Sequence, residues 1–368
     1  MDLAVYPALP SAAYARKLRA RLFSWYRQTH RDLPWRRYRD PYAIWVSEVM
    51  LQQTQVATVI PFFIRFLERF PTLATLAAAS EQDVLQLWEG LGYYRRARHL
   101  HAAAQQIVAE HQGQFPMDPD TLGQLPGMGR YTVGAILSQA FDRPLPVVDA
   151  NVARILARWF ACQTDLRSSP VQAWLWETAA RLLPRRKAGT FNQALMELGQ
   201  TVCIPRQPMC LLCPVAAFCA ARQHGMQNRI PVQAPPPART AVSEVAVVLR
   251  RDKAFLLVQR PAHGRWSNMW EFPHGERKNR ESAARAAARL ALALTGYAVT
   301  LLADKTTITH GITRFDIEMT CVLAEATGGA WQSKYYIDHR WLPLAEVAKY
   351  PLSRPQRQLA TWVETRTS

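Results

Sequence analysis

Four of the six cysteines fall within 17 residues, spaced Cys203-x6-Cys210-x2-Cys213-x5-Cys219. Thiols crowded this tightly tie a short loop to one centre, through disulfides or through a metal. The opening stretch, MDLAVYPALPSAAYARKLRA, has neither a basic end followed by an apolar core nor an Arg-rich amphipathic form, so no targeting segment is expected and the cytoplasm is the expected compartment. Thiols stay reduced there, which favours metal over disulfides. Zinc ligand sets usually come as two close pairs joined by a longer loop. Here one C-x-x-C pair is flanked by single cysteines, a spacing that suits one [4Fe–4S] cube better, with structural zinc as the alternative. Cys162 and Cys321 stand apart and read as small buried hydrophobes.

Charge narrows the partner. The 368 residues hold 45 Lys+Arg against 28 Asp+Glu, a formal net charge of +17, well beyond what solubility requires. Arginine outnumbers lysine, and its planar fork suits phosphate and base-edge contacts. Up to Ala220 there are 24 basic and 16 acidic residues, a balance of +8, and beyond it 21 and 12, a balance of +9. Both halves are basic, so no single tail accounts for the excess. A polyanion is the expected partner, with a basic solvated surface as the plain alternative. No run approaches the ~18 uninterrupted apolar residues of a bilayer span, so no membrane association is expected.

At roughly 150 residues per domain, the length predicts two or three domains. The stretch RIPVQAPPPARTAVS, residues 229–243, holds Pro231, Pro235, Pro236 and Pro237 without apolar periodicity. It reads as a semi-rigid extended linker between residues 1–228 and 244–368. Before it, helical patterns dominate: VSEVMLQQTQVATVI stopping before Pro61, FFIRFLERF stopping before Pro71, and others from Glu81, Arg95, Val171 and Phe191. After it, SEVAVVLRR and KAFLLVQR read as strands around the turn residues Asp252 and Lys253. An Ala-rich helix from Glu281 to Thr295 and a further β run, TRFDIEMTCVLAE, follow. The expected fold class is a mostly α N-terminal part followed by an α+β part, with no internal repeat.

Two stretches carry chemistry. In LPGMGRYTVGA, residues 125–135, Gly127 and Gly129 form a tight turn between a short helix, DTLGQL, and a longer one, TVGAILSQAF. Such glycines let backbone N–H groups approach a phosphate at a helix N-terminus, and Arg130 flanks them, so a helix-hairpin-helix gripping DNA phosphates is expected. Downstream, Asp149 follows two valines and precedes a helical pattern, where it also fits a plain N-cap. Upstream, Glu48 sits among apolar residues on a helix that should be largely buried. Burial of an acid is expensive unless it is paired or used, and raises its pKa toward values useful to a general acid. Taken alone, each acid also fits a structural role.

Together, the hairpin LPGMGRYT, the Asp149 that follows it and the four-cysteine loop resemble the helix-hairpin-helix DNA glycosylase superfamily with an iron–sulfur cluster. Within it, LPWR (Leu33 to Arg36), WVSEVMLQQTQV (Trp45 to Val56) and GLGYYRRAR (Gly90 to Arg98) are similar to the adenine DNA glycosylases, over roughly Ala15 to Ala220 in order. The resemblance implies a [4Fe–4S] cluster on Cys203, Cys210, Cys213 and Cys219, a monomer, and double-stranded DNA with adenine opposite 8-oxoguanine or guanine as substrate. In the endonuclease III branch, a lysine at the position of Tyr131 is the Schiff-base nucleophile of a combined glycosylase and lyase. Tyr131 cannot do that chemistry, which implies a monofunctional enzyme. By position, Glu48 is implied to protonate the adenine at N7, and Asp149 to stabilise or capture the oxocarbenium ion. Tyr131 and Asn151 are implied to orient Asp149 and line the sugar site. Gln53 and Tyr93 are implied to fill or wedge the gap in the DNA helix, and Arg31, Trp35, Arg36 and Leu51 to lie near the base pocket. The competing readings are an endonuclease III-like glycosylase and lyase on oxidised pyrimidines, and a non-catalytic iron–sulfur DNA-binding protein.

From about Ala241 the pattern resembles the Nudix fold. Gly275, Glu281, Arg289 and Gly296 keep the frame of the Nudix box, but the three clustered glutamate positions that would bind Mg²⁺ are Leu290, Ala293 and Leu294. Pyrophosphate hydrolysis is therefore not expected, and the resemblance implies a module that recognises 8-oxoguanine. The family's Phe-Ser-His loop for that base is here Ile308-Thr309-His310: the hydroxyl of Thr309 and the ring of His310 survive and the aromatic wedge does not. Its usual Trp-x-Phe-Pro-Gly-Gly becomes Trp270-Glu271-Phe272-Pro273-His274-Gly275, with His274 replacing a glycine.

Overall fold

The computed structural model describes residues 7–232 and 238–367, which divide into two compact units. The first comprises the described residues of Met1–Ala77 and Ala102–Pro235, the second Ala78–His101 with those of Pro236–Ser368. The helices run, in chain order, α1 (Ala12–Thr29), α2 (Pro41–Leu51), α3 (Val56–Arg69), α4 (Leu73–Ala77), α5 (Glu81–Trp88) and α6 (Arg95–His111). They continue as α7 (Pro119–Gly123), α8 (Arg130–Phe141), α9 (Ala150–Trp159), α10 (Ser169–Leu182), α11 (Ala188–Thr201) and α12 (Ala220–Gln223). Among the described residues, no helix is long and apolar enough to cross a membrane.

The helix that matters most begins where its sequence says it should. Asp40 caps α2 by accepting from the backbone N–H groups of Tyr42 and Ala43, and Pro41 takes the first helical position. Every residue from Tyr42 to Met50 is buried, the pattern of a helix enclosed on all sides, and this carries Glu48 into the interior. The expectation of one helix ending before Pro61 is corrected here. Polar Gln52, Gln53 and Thr54 interrupt the apolar pattern, Gln53 turns the chain at φ 56, and α3 then runs through Pro61. At the sixth position of α3 the proline removes the N–H that would bond the Ala57 carbonyl. The core of this unit gathers Leu18, Leu22, Ile155, Leu156, Trp159 and Phe191, each such side chain contributing about 1.5–3 kcal/mol on burial.

The second unit is built on a mixed sheet. Its strands are β1 (Thr240–Arg251), β2 (Ala254–Gln259), β3 (Trp270–Glu271), β4 (His274–Glu276), β5 (Tyr297–Ile312), β6 (Phe315–Gly329) and β7 (Asp338–Pro343). Their order is β3-β2-β1-β6-β5, with β4 paired to β1 and β7 to β2. Long β1 and β6 run parallel, in register from Thr240 opposite Phe315 to Arg250 opposite Glu325. As expected of a sheet covered on both faces, Val245, Val247 and Leu249 pack with α13 (Ala283–Thr295), while Ala246 and Val248 pack with Leu352, Leu359 and Val363. Leu359 and Val363 belong to α15 (Arg354–Thr367), which follows the short α14 (Leu344–Val347). The segment 78–101 belongs here because Glu89 pairs with Arg357 at 2.6 Å and the Tyr94 hydroxyl donates to the Leu352 carbonyl at 3.2 Å.

The segment expected to be an extended linker is shorter than 229–243. Thr240 to Ser243 already pair with β6, and the Thr240 N–H donates to the Arg314 carbonyl at 2.7 Å. At the other end, Ile230 is buried in the first unit's core and its carbonyl accepts from Arg158 Nε at 2.8 Å. Pro235, Pro236 and Pro237 lie outside the described residues.

Candidate active site and cysteine loop

A cleft of about 1120 Å³ opens in the first unit, somewhat larger than the pockets that hold ordinary small molecules, roughly 300–1,000 Å³. Glu48, Tyr131, Asp149 and Asn151 all line it. Glu48 is 4% exposed. Its Oε2 accepts from the Tyr131 hydroxyl at 2.6 Å and its Oε1 from Gln139 Nε2 at 2.7 Å. Burial raises its pKa above the ordinary carboxylate value and the charge of Asp149 adds to the rise, while those two hydrogen bonds only partly offset it. Burial drives the Tyr131 phenol well above its usual value too, so it stays a neutral donor to Glu48.

Asp149 does two things at once. One carboxylate oxygen caps α9 by accepting from the Val152 N–H at 2.7 Å, and the other accepts from Asn151 Nδ2 at 2.9 Å. Asn151 is held in turn by Arg154 Nη2 at 2.9 Å, and Arg154 also donates to the carbonyls of Gly199 at 2.7 Å and Cys203 at 2.9 Å. A side chain at 199 would meet Asn151 Cβ at 2.7 Å, so only glycine lets α11 approach this closely. Arg154 was not anticipated, although a basic residue inside the apolar pattern NVARILARW was a readable signal.

Arg31, Trp35, Arg36, Leu51 and Gln53 line the same cleft. The two guanidiniums converge on Glu197, a residue the sequence did not single out: Arg31 Nε donates to Oε1 at 2.8 Å and Arg36 Nη2 to Oε2 at 2.7 Å. Burial favours the neutral form of Glu197, but the hydrogen bonds from Arg31 and Arg36 outweigh it and hold the carboxyl at about 2. Its stabilising effect is therefore present above the ordinary carboxylate value and lost as pH falls toward 2. Removing one member of a buried ionic set usually costs about 3–5 kcal/mol. Glu197→Ala should lower stability by that order in denaturant unfolding at neutral pH, with the deficit shrinking in acid. Trp35 is buried edge-on against Phe63 at 5.6 Å.

The hairpin forms as expected between α7 and α8. Gly127 adopts φ 75, a left-handed geometry that glycine favours, and Gly129 opens α8 without a side-chain cap. Both line the cleft; Arg130 does not, and its guanidinium lies 4.0 Å from the Trp176 ring centroid. Cys203, Cys210, Cys213 and Cys219 line one separate small cavity, together with Arg158. Arg158 is 1% exposed, donates to the carbonyls of Ile204 and Pro205, and approaches Cys203 Sγ to 3.3 Å. Among the described residues, no three His, Cys, Asp or Glu side chains are arranged to hold a single metal ion. The four thiols share this one cavity.

In the second unit, Tyr93 is exposed at φ 49 with Arg96 5.6 Å from its ring, Thr309 is exposed on β5, and His310 is half-buried beside it. The place of the Nudix glutamates is filled: Leu290 is buried against Gly275, while Glu281 and Arg289 still pair at 2.7 Å. His274, the bulky replacement for a glycine, is accommodated by bridging Glu244 at 3.1 Å and Glu271 at 3.2 Å. Burial pulls its pKa down, but Glu271 and Glu244 outweigh that and raise it to about 9.

Residues 46–181 match the HhH-GPD superfamily of base excision DNA repair proteins, and residues 244–362 match the NUDIX domain. An adenine DNA glycosylase of Rattus norvegicus is 51% identical over 221 residues, 58% of this chain and 43% of that protein. Against the rodent and human relatives the chain spans about half their length or less. An adenine DNA glycosylase of Buchnera aphidicola subsp. Acyrthosiphon pisum is 34% identical over 263 residues, 71% of this chain and 75% of that protein. The solved structure of a thermostable thymine-DNA glycosylase superposes with a TM-score of 0.53 at 26% identity, covering 58% of this chain and 98% of that one. A helical unit with a hairpin and a cysteine loop, continued by a Nudix-like sheet, and relatives matched across both rodent and bacterial chains lead to one assignment: this chain belongs to the adenine DNA glycosylase family.

Proposed function

We propose that this protein is a monofunctional base-excision repair glycosylase that removes adenine mispaired with 8-oxoguanine or guanine in duplex DNA. The observation that carries this reading is a buried acid, Glu48, in the same cleft as Asp149, its proton favoured by burial. Adenine cannot react inside the stack, so the nucleotide is extruded into the cleft. Glu48 delivers its proton to N7 of the base. The N-glycosidic bond then breaks with its electron pair leaving on adenine, and positive charge develops on the sugar. Asp149, oriented by Asn151, stabilises that charge or captures it before water completes the hydrolysis. Tyr131 stands where a lyase would need an amine, and its hydroxyl is committed to Glu48, which supports hydrolysis without strand cleavage. Backbone N–H groups around Gly127 and Gly129 would meet phosphates at the N-terminus of α8, and Gln53, which lines the cleft, would enter the gap the extruded base leaves in the DNA helix.

Cys203, Cys210, Cys213 and Cys219 would hold a [4Fe–4S] cube. Four thiols lining one shared cavity, spaced as one close pair between two single cysteines, support this reading. When bound, the cube would cross-link the loop of residues 203–219 through its four thiolates. Thr309 and His310 would meet the base opposite the adenine. The enzyme would act as a monomer on chromosomal DNA. Incubation of the purified protein with duplexes carrying adenine opposite 8-oxoguanine, guanine or thymine, followed by mass spectrometry of released bases, tests the reading. Free adenine from the first two and not the third is expected; a released pyrimidine, or no base at all, would overturn it.

A further inference from the structure

Among the described residues, Arg31 and Arg36 are the only cations lining the cleft, both are committed to Glu197, and Glu48 and Asp149 line the same cleft. The basic excess of the residues up to Ala220 is therefore not lodged there. Much of it gathers where α10 ends and α11 begins, around the turn LPRRKAG, residues 183–189.

Arg185, Arg186 and Lys187 are all exposed on this turn. Further cations come from α1. Arg19 caps the end of α10, its Nε donating to the Leu182 carbonyl at 2.6 Å and its Nη2 to the Arg181 and Leu183 carbonyls at 3.0 Å. Arg16 is exposed close by on α1, where its charge adds to burial in lowering the Arg19 pKa. On the other side, the Asp142 carboxylate accepts from the Lys187 N–H at 2.8 Å and the Gly189 N–H at 3.4 Å, which brings exposed Arg143 beside the turn. The nearby acids are occupied: Asp142 by those N–H groups at the start of α11, and Glu177 by Arg181 at 2.9 Å. Among the described residues, Arg16, Arg143, Arg185, Arg186 and Lys187 form no side-chain ion pair.

Unpaired cations concentrated on one surface suit a polyanion. Two observations favour duplex phosphates over an acidic protein. Arginine predominates, and its planar fork takes phosphate oxygens two at a time. Among the described residues, no exposed large hydrophobic side chain belongs to α1, α10 or residues 183–189, whereas protein interfaces bury an apolar core. The surface also lies off the cleft: none of its cations lines it, and Lys187 stands about 18 Å along α11 from Gly199, which does.

We propose that this surface holds a second stretch of duplex DNA by its phosphates, without regard to sequence, while the cleft holds the stretch under repair. Holding two segments at once lets the protein pass from one to the other without entering bulk solution. The inference rests on duplex DNA being the substrate and is indifferent to which base is removed. Full-length protein is titrated at low salt with an undamaged duplex of about two helical turns, roughly 21 base pairs, and the DNA bound per protein is read by sedimentation. Wild type should bind a second duplex after the first, and Arg185→Gln/Arg186→Gln/Lys187→Asn should bind the first alone. Asparagine is chosen there because it tolerates the left-handed φ 63 of Lys187. Single-turnover base release from a short mispaired duplex should be unchanged in that variant, since these side chains lie outside the cleft. Arg16→Gln/Arg143→Gln, on separate elements, should keep the second event and flatten its log–log salt slope by about 1.8, at ~0.9 per phosphate contact. Should the triple variant lose its cooperative thermal melt, this pair carries the test. A wild type that binds no second duplex, a folded triple variant that still binds it, or an unchanged slope in the double variant overturns the proposal. Two further results would also overturn it: polyglutamate bound by the wild type in place of a second duplex, which assigns the surface to an acidic protein, and loss of the first duplex with the second, which places the turn in the primary DNA contact. A wild type that releases no adenine overturns the excision reading instead, while the second-duplex count still decides this one.

Discussion

Glu48→Gln is expected to slow base release in single-turnover assays by about 10²–10⁴-fold, the usual worth of a placed general acid, while leaving duplex affinity nearly unchanged. The substitution keeps the shape of the side chain and removes its proton. It also carries a stability signature. Burial raises the Glu48 pKa in the folded protein, so wild-type folding favours the protonated acid: that contribution is full below the ordinary carboxylate value and is lost as pH rises. Glu48→Gln cannot ionise, so its melting temperature should match or exceed that of wild type at neutral pH, and the gap should close in acid. In the wild type, the same raised pKa means that the rate falls on the alkaline side of the profile at a pH above the ordinary carboxylate range. Substantial turnover by Glu48→Gln would remove this residue from the mechanism.

Asp149→Asn separates chemistry from folding in another way. Asparagine caps a helix about as well as aspartate, so the bond to the Val152 N–H that starts α9 can survive and unfolding should shift little. On the proposed mechanism the substitution removes the negative charge that would face the developing oxocarbenium ion, which should cost at least about 10²-fold in the rate of base release. Binding of the intact duplex should persist. A variant that excises adenine at close to the wild-type rate would make Asp149 a helix cap and nothing more.

The parts of this molecule legible in the sequence were those where a residue costs something unless it is used. A glutamate in the middle of WVSEVML, two glycines in LPGMGRY and four crowded cysteines each stand out against local packing, and the cleft gathers Glu48, Gly127 and Gly129 around Asp149. What was not legible depended on partners far away in the chain. Arg31 and Arg36 were placed near the pocket, but that Glu197 gathers them could not be read from local spacing, because 166 residues separate Arg31 from Glu197. The parallel pairing of β1 with β6 likewise joins segments whose own patterns say only that each is a strand. The break after Leu51 lies in the polar run Gln52-Gln53-Thr54, where Gln52 leaves helical geometry at ψ 115 and Gln53 follows at φ 56, while Pro61 stands inside α3.

The most direct measurement is strand analysis of an end-labelled duplex carrying adenine opposite 8-oxoguanine, incubated with the protein and divided into untreated and alkali-treated halves. If Glu48 and Asp149 release the base as proposed, with Tyr131 providing no amine to cleave the sugar, the strand stays intact without alkali and breaks once, at the adenine position, after it. A break that appears without alkali, or a strand still intact after it, would contradict that account.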